Sequence, residues 1–325
     1  MSYETPQTLL KEPFQQPAPA GKTAWVFAGQ GSQVAGMGRD LYESYPQVRE
    51  IFDSNAAGFD LKEICFAADD ARLHDTRYTQ ACMAGFAAAV CRLLFDAGLH
   101  PKATLGLSLG EYCALHAAEV FDAQTLLSVL GFRGAIMANA SSMPSRMTAI
   151  FGLDEATVES VVSQVAAKTQ AVVACTNYNS PNQIVIGGDE AAVSAAELAL
   201  KEKGAKRCVP LKTSGPFHTA FMKEAGEQLR EHLGSVAFRP QKTPVVFNAT
   251  AAFAADSEIP ELLVKQISSP VRFAQSIRLL EEAGITSIIE IGPSTVVAGL
   301  IKKTAPSLAV TSLRTADDIR KVVDA

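Results

Sequence analysis

The residues Gly106-Leu107-Ser108-Leu109-Gly110 fit the pattern G-x-S-x-G. The apolar run ATLGL (103–107) leads into them, and EYCALHAAEVF (111–121) follows with helical spacing. A serine on such a strand-to-helix turn presents its hydroxyl at a helix N-terminus, where free N–H groups can stabilise a developing oxyanion. Flanking glycines let neighbouring backbone come close where a Cβ would clash. The N–H of Leu109, one residue past the serine, is the expected donor. This is the chemistry of a covalent acyl intermediate, and it needs a base. An ordinary glycine-flanked turn is the alternative.

Five histidines are available, at 74, 100, 116, 218 and 232. His116 lies two turns down the helix behind Ser108, His100 sits in a turn beside Pro101, His74 in a charged loop and His232 in a polar helix. His218 follows Thr213-Ser214-Gly215-Pro216-Phe217, a loop able to return to the serine. Serine before histidine is the order of α/β hydrolytic folds. A structural role for His218 remains the alternative, and no acidic residue stands out as a third member. Arg133, in GFRGAIM, sits in an otherwise apolar helix. An unpaired buried charge is costly, so Arg133 either pairs with an internal Asp or Glu or acts as a fork for a substrate carboxylate.

Other chemistries fit less well. In GQGSQVAGMG, Gly29 and Gly31 are present but Val34 stands where a dinucleotide fingerprint needs its third glycine. No G-x-x-x-x-G-K-[ST] occurs. The segment reads better as a tight loop whose backbone N–H reaches a neighbouring site. Six cysteines, none at C-x-x-C spacing, indicate reduced buried thiols in a cytoplasmic protein, with Cys82 and Cys113 candidates for a pocket wall. A net charge of -5 argues against nucleic acid as the main partner. No charge-free apolar run reaches about 18 residues, so no membrane span is expected. The N-terminus lacks the basic start and apolar stretch of a secretory signal.

The 325 residues, 48% hydrophobic and 19% charged, suffice for about two domains with a buried core. Residues 1–21 read as an extended or disordered leader. Strands at 23–29 and 103–107 alternate with helices at 40–57, 80–97, 111–121 and 124–140. That alternation implies a parallel sheet covered on both faces. Residues 146–212 then run strand, helix from 154 to about 167, strands 171–177 and 182–188, a helix capped by Asp189, and a strand. This is the β-α-β-β-α-β order of a ferredoxin-like unit. Strands at 244–250 and 286–292, with helices at 258–267 and 273–284, resume the α/β pattern. The expected division is a leader 1–21, a large domain from 22–142 and 213–325, and a subdomain 143–212.

Taken together, GQGSQ (29–33), TQ (79–80), GLSLGEY (106–112), FRG (132–134), NYNSPNQIVIGG (177–188), GPFH (215–218), QISSPVRF (266–273) and EIGP (290–293) resemble the malonyl-CoA:acyl carrier protein transacylase family. The resemblance runs from Thr23 to near Leu313. It implies an α/β-hydrolase-like large domain carrying the ferredoxin-like subdomain. It implies Ser108 as the acylated nucleophile, His218 as its base and the main-chain carbonyl of Gln266 as the third member. Gln30 and Leu109 N–H groups become the oxyanion donors, Arg133 the clamp for a malonyl carboxylate, and Gln80 and Phe217 pocket residues. Many members carry histidine where Leu107 stands, and EIGPSTVV replaces a more glycine-rich continuation. No cofactor is implied, because one thioester is exchanged for another. The implied partners are malonyl-CoA and an acidic acyl carrier protein, with Lys201, Lys203, Lys206 and Arg207 as a docking patch or simply a solvated helix end. A monomer is the default. The alternatives are an acyl hydrolase acting on carrier proteins and, from another class, a non-catalytic carrier-docking protein.

Overall fold

Short apolar runs bounded by glycine and turn residues become strands, and the longer alanine- and leucine-rich runs become the helices that cover them. The computed structural model describes residues 22–140 and 144–324; the expected leader at 1–21 and the expected junction at 142–143 lie outside them. In chain order the strands are β1 Thr23–Phe27, β2 Ala103–Gly106, β3 Ser145–Phe151, β4 Val173–Ser180, β5 Gln183–Asp189, β6 Arg207–Pro210, β7 Val245–Phe247, β8 Ala252–Phe253, β9 Ser287–Ile291 and β10 Ala309–Leu313. The larger sheet has the order β10-β9-β1-β2-β7-β8 and is parallel except for β7–β8. Phe27 pairs with both Gly106 and Ile291, so the carboxyl ends of the three central strands come level. The loops that leave these ends share one edge, where open parallel sheets bind ligands.

Thr76–Asp96 is the helix that anchors this edge. It is long and apolar enough to cross a membrane by length and composition, yet 83% of its most apolar stretch is buried inside the protein. It packs along the Ala123–Asn139 helix. A Cβ on Gly134 would lie 2.7 Å from the Thr76 carbonyl oxygen, so only glycine lets the two helices approach there. The helix expected over 40–57 is broken, because Pro46 has no N–H to continue it. The chain instead forms Arg39–Ser44, a 3-10 turn at Pro46–Val48, and Arg49–Phe52. The helix after the serine ends at Ala117, earlier than expected, and Glu119 takes a positive φ of 61° beyond it. Glu290 explains the EIGP segment: its fully buried carboxylate accepts from the N–H groups of Val297 and Ala298 and so caps the Val296–Thr304 helix across the loop.

The second sheet, β4-β5-β3-β6, is antiparallel. The Glu155–Thr169 and Glu190–Glu202 helices bury Val158, Val162, Val193 and Leu200 with Ile150 and Ile186 in a core of their own. The order is that of the ferredoxin-like unit. Asp189 departs from the expected capping role. Its carboxylate accepts from the Val172 N–H at 2.6 Å and makes no cap bond. β4 is tied to the larger unit at Val271, through Tyr178 N–H to Val271 O and Val271 N–H to Thr176 O, both 2.9 Å.

Candidate active site

The chain leaves β2 through Gly106 and turns sharply at Ser108, whose φ is 56°. That is the sparsely populated left-handed region, costly for a residue with a side chain. A Cβ on Gly106 would sit 1.8 Å from the Gly110 carbonyl carbon, and one on Gly110 would sit 2.5 Å from the Phe27 carbonyl oxygen. Two amide side chains hold the bend. Asn248 accepts from the Ser108 N–H at 2.8 Å and donates to the Gly106 carbonyl at 2.7 Å. Gln266 donates to the Ser108 carbonyl at 2.8 Å. Neither contact was foreseen. The available signal was a polar Asn248 directly after the apolar residues of β7, at the carboxyl edge of the sheet.

Ser108 Oγ lies 2.8 Å from His218 Nε2, and His218 Nδ1 lies 2.9 Å from the Gln266 carbonyl oxygen. A carbonyl only accepts, so Nδ1 carries the proton and Nε2 is left to accept from the serine hydroxyl. His218 is buried and also bends through a positive φ, 61°. Burial, with the Arg133 charge as the second cause, pushes its pKa down to about 4. The imidazole is therefore neutral and free to take a proton across the physiological range. The other histidines are engaged elsewhere. His116 Nδ1 is 3.0 Å from the Phe121 carbonyl, His232 stacks on Phe132 at 4.1 Å, His100 lies against Phe95, and His74 meets Gln33 at 3.2 Å.

Arg133 is fully buried. Among the described residues its hydrogen bonds go to Gln80 Oε1 at 2.6 Å, Gln266 Oε1 at 2.9 Å and, at a long 3.4 Å, Ser108 Oγ. Its Nε has no partner, and its guanidinium carbon stands 5.2 Å from the centre of the Tyr112 ring. The internal Asp or Glu partner weighed from the sequence is not there. Glu111 is the nearby acid, and its carboxyl accepts from the Asn248 N–H while its second oxygen has no partner. Burial, opposed by the Asn248 N–H and the Arg133 charge, pushes its pKa up to about 8, and neither of its oxygens hydrogen-bonds the arginine. Among the described residues the guanidinium is held by neutral amides, with unspent donors and no hydrogen-bonded carboxylate.

These groups open on one cavity of about 140 Å³, lined by Gln30, Gln80, Ser108, Leu109, Arg133, Phe217 and His218 among others. Gln266 stands behind it. Among the described residues the N–H groups of Gln30 and Leu109 have no protein acceptor. The Gly29 loop lies hard against the elbow, since a Cβ there would be 2.5 Å from the Leu107 carbonyl oxygen. Gln30 and Leu109 both line the cavity with Ser108. Cys82 and Cys113 are buried in the core and do not line this cavity. Lys201, Lys203, Lys206 and Arg207 are exposed at one end of the small sheet, outside the cavity.

The acyl transferase domain family matches residues 24–322. The malonyl CoA-acyl carrier protein transacylase of Staphylococcus aureus (strain MRSA252) is 37% identical over 303 residues, 92% of this chain and 97% of that protein. The protein of the same name in Bacillus subtilis (strain 168) is 38% identical over 286 residues, 87% and 90% of the two chains. The chain belongs to the malonyl-CoA:acyl carrier protein transacylase family. It is an acyltransferase of that family. Its solved relatives share the fold closely. MCAT from Streptococcus pneumoniae superposes with a TM-score of 0.88 at 38% identity, over 93% of this chain and 99% of that one. A malonyl-transacylase solved with a type II PKS acyl-carrier protein has a TM-score of 0.89 at 33% identity, over 93% and 99%.

Proposed function

We propose that this transacylase-family chain moves a malonyl group from malonyl-CoA to the phosphopantetheine thiol of an acyl carrier protein through an ester on Ser108. Arg133 carries the reading: a buried guanidinium with no hydrogen-bonded carboxylate among the described residues, 3.4 Å from the serine oxygen. The carboxylate of a malonyl group lies one methylene beyond its thioester carbonyl, so the two ends of the substrate match the two ends of the site. An acyl group with no carboxylate would bury the cation unpaired, which is the stronger source of rejection.

Ser108 Oγ attacks the thioester carbon as His218 Nε2 takes its proton. The tetrahedral oxyanion sits on the Gln30 and Leu109 N–H groups, each worth about 3–4 kcal/mol of barrier. The Gln266 carbonyl fixes the tautomer without adding a negative charge. Collapse breaks the C–S bond, and CoA leaves as thiol with the proton returned from His218. The carrier thiol then gives its proton to His218 and attacks the malonyl ester, and Ser108 is restored. Both half-reactions exchange one acyl bond for another, so the steps themselves call for neither electrons nor a metal. Phe217, beside His218, forms part of the cavity wall. Lys206 and Arg207 suit an acidic carrier: four residues of extended chain, about 13 Å, lead from Arg207 to Leu211 at the cavity. The complex of a related malonyl-transacylase with its carrier protein supports that partner class.

Intact mass after mixing with malonyl-CoA tests the proposal. A malonyl adduct that is absent in Ser108→Ala and discharged by carrier protein is expected. Rapid release of free malonate, with no carrier product, would overturn it in favour of a hydrolase.

A further inference from the structure

The loop carrying Gln30 and the loop carrying His218 come from distant parts of the chain, yet one hydroxyl joins them. Gln30 Nε2 donates to Thr76 Oγ1 at 2.8 Å, and Ser214 Oγ donates to the same oxygen at 2.7 Å. Thr76 is 1% exposed and opens the long Thr76–Asp96 helix, where Asp75 caps the chain through the Arg77 N–H. Its carbonyl is packed against Gly134, next to Arg133. Thr76 is therefore a fixed post on a long, largely buried helix, while the segments it holds are loops. Gln30 carries one of the two N–H groups without a protein acceptor and lines the cavity with Ser108. Ser214 precedes His218 by four residues, and Thr213 between them and β6 lines the cavity.

We infer that Thr76 is a positioning residue that locks the Gln30 loop and the Thr213–His218 loop to one another, so that the oxyanion donor and the base keep a fixed separation. A hydroxyl suits the task because it can accept two hydrogen bonds at once. The remaining anchors of the Gln30 loop act further along it. The Gly31 N–H meets Gln33 Oε1 at 2.7 Å, and Gln33 reaches His74. None of these touches the base loop. Without the Thr76 bonds, residue 30 and residue 218 would each relax independently, and displacement of about 1 Å at a reacting centre costs on the order of a hundredfold in rate.

The inference rests on the serine acylation proposed above, and single-turnover acylation of Ser108 by malonyl-CoA, followed by mass, tests it. Thr76→Val keeps the shape and removes both bonds. A drop of about tenfold to a hundredfold in the acylation rate constant is expected, with the malonyl-CoA concentration dependence shifted less than about twofold. Thr76→Ser should recover most of the rate, which a purely steric role for the side chain would not require. Ser214→Ala, at an exposed residue, should lose part of the rate, and adding it to Thr76→Val should lose no more, because the shared oxygen is already gone. Counting reactive serines with a fluorophosphonate corrects for misfolded protein, and Gln30→Met breaks the same bond from the loop side should Thr76→Val fold poorly. Acylation of Thr76→Val within about twofold of the parent, failure of Thr76→Ser to recover, or losses that multiply in the double variant would overturn the inference. A parent protein that takes up no malonyl group at all would instead sink the proposed function.

Discussion

Replacing Arg133 with alanine separates recognition of the acid from the acyl chemistry itself. A guanidinium has five N–H donors. Two are spent within 3.0 Å, on Gln80 and Gln266, and a third is aimed weakly at Ser108 Oγ from 3.4 Å. Nε is closed off, so the two donors left for a carboxylate are the second Nη1 hydrogen and the Nη2 hydrogen now aimed weakly at Ser108. Charge-assisted hydrogen bonds contribute about 1.5–3 kcal/mol each, so two give about 3–6 kcal/mol. At 1.36 kcal/mol per decade, kcat/KM for malonyl-CoA relative to acetyl-CoA should fall by about 10²- to 10⁴-fold in Arg133→Ala. The truncation also frees the side chains of Gln80 and Gln266, and Gln266 helps hold the elbow. Both substrates share that loss, so it cancels in the ratio. The measurement is kcat/KM for each thioester, by the rate of adduct formation on Ser108. An unchanged ratio, with malonyl and acetyl falling alike, would refute the clamp.

Three more outcomes follow from the same geometry. His218 accepts a proton only while neutral, and its pKa is held near 4, so kcat/KM for malonyl-CoA should stay level from neutral pH down to about pH 5 and fall below that. In Arg133→Ala the acidic limb should move upward, because one of the two causes of the depression is gone; a limb near the ordinary histidine pKa in the parent would contradict the burial argument. Glu111 is protonated when folded up to about pH 8 but ionises near 4.5 when unfolded. The folded chain thus binds the extra proton between those values, and stability is lost as pH rises through that window. Glu111→Gln should flatten this loss, measured by urea unfolding at pH 5 and pH 8. Lys206→Glu combined with Arg207→Glu should raise the KM for carrier protein severalfold and weaken its salt dependence; a carrier KM that does not move would take these residues out of the docking surface.

The parts of this molecule written in short-range pattern were readable from the chain. The strand, glycine-flanked serine and helix around 103–117 form a contiguous signal, and so does the alternation behind the β3 to β6 unit. Pro46 was also visible, yet helical spacing across it outweighed the missing N–H. The Ala309–Leu313 strand went unread because it is short, at the sheet edge and half exposed, so it shows little apolar alternation. What the sequence hides is the network of single hydrogen bonds between remote residues. Asn248 and Ser108 are 140 positions apart, and Thr76 and Ser214 are 138 apart. No periodicity marks such pairs, and each residue alone looks like any other polar side chain. Arg133 was conspicuous as a charge in an apolar helix, but its neutral glutamine partners could be found only in three dimensions.

The acceptor behind His218 belongs to the peptide at position 266 and not to any side chain. Every amino acid carries that oxygen. Changing Gln266 alters the support of Arg133 and of the elbow, while the grip on the imidazole survives every replacement except proline, which would break the helix. The ring's orientation is thereby sheltered from point mutation in a way that an aspartate could never be, and only a shift of the backbone where the Ile259–Ile267 helix ends can take it away.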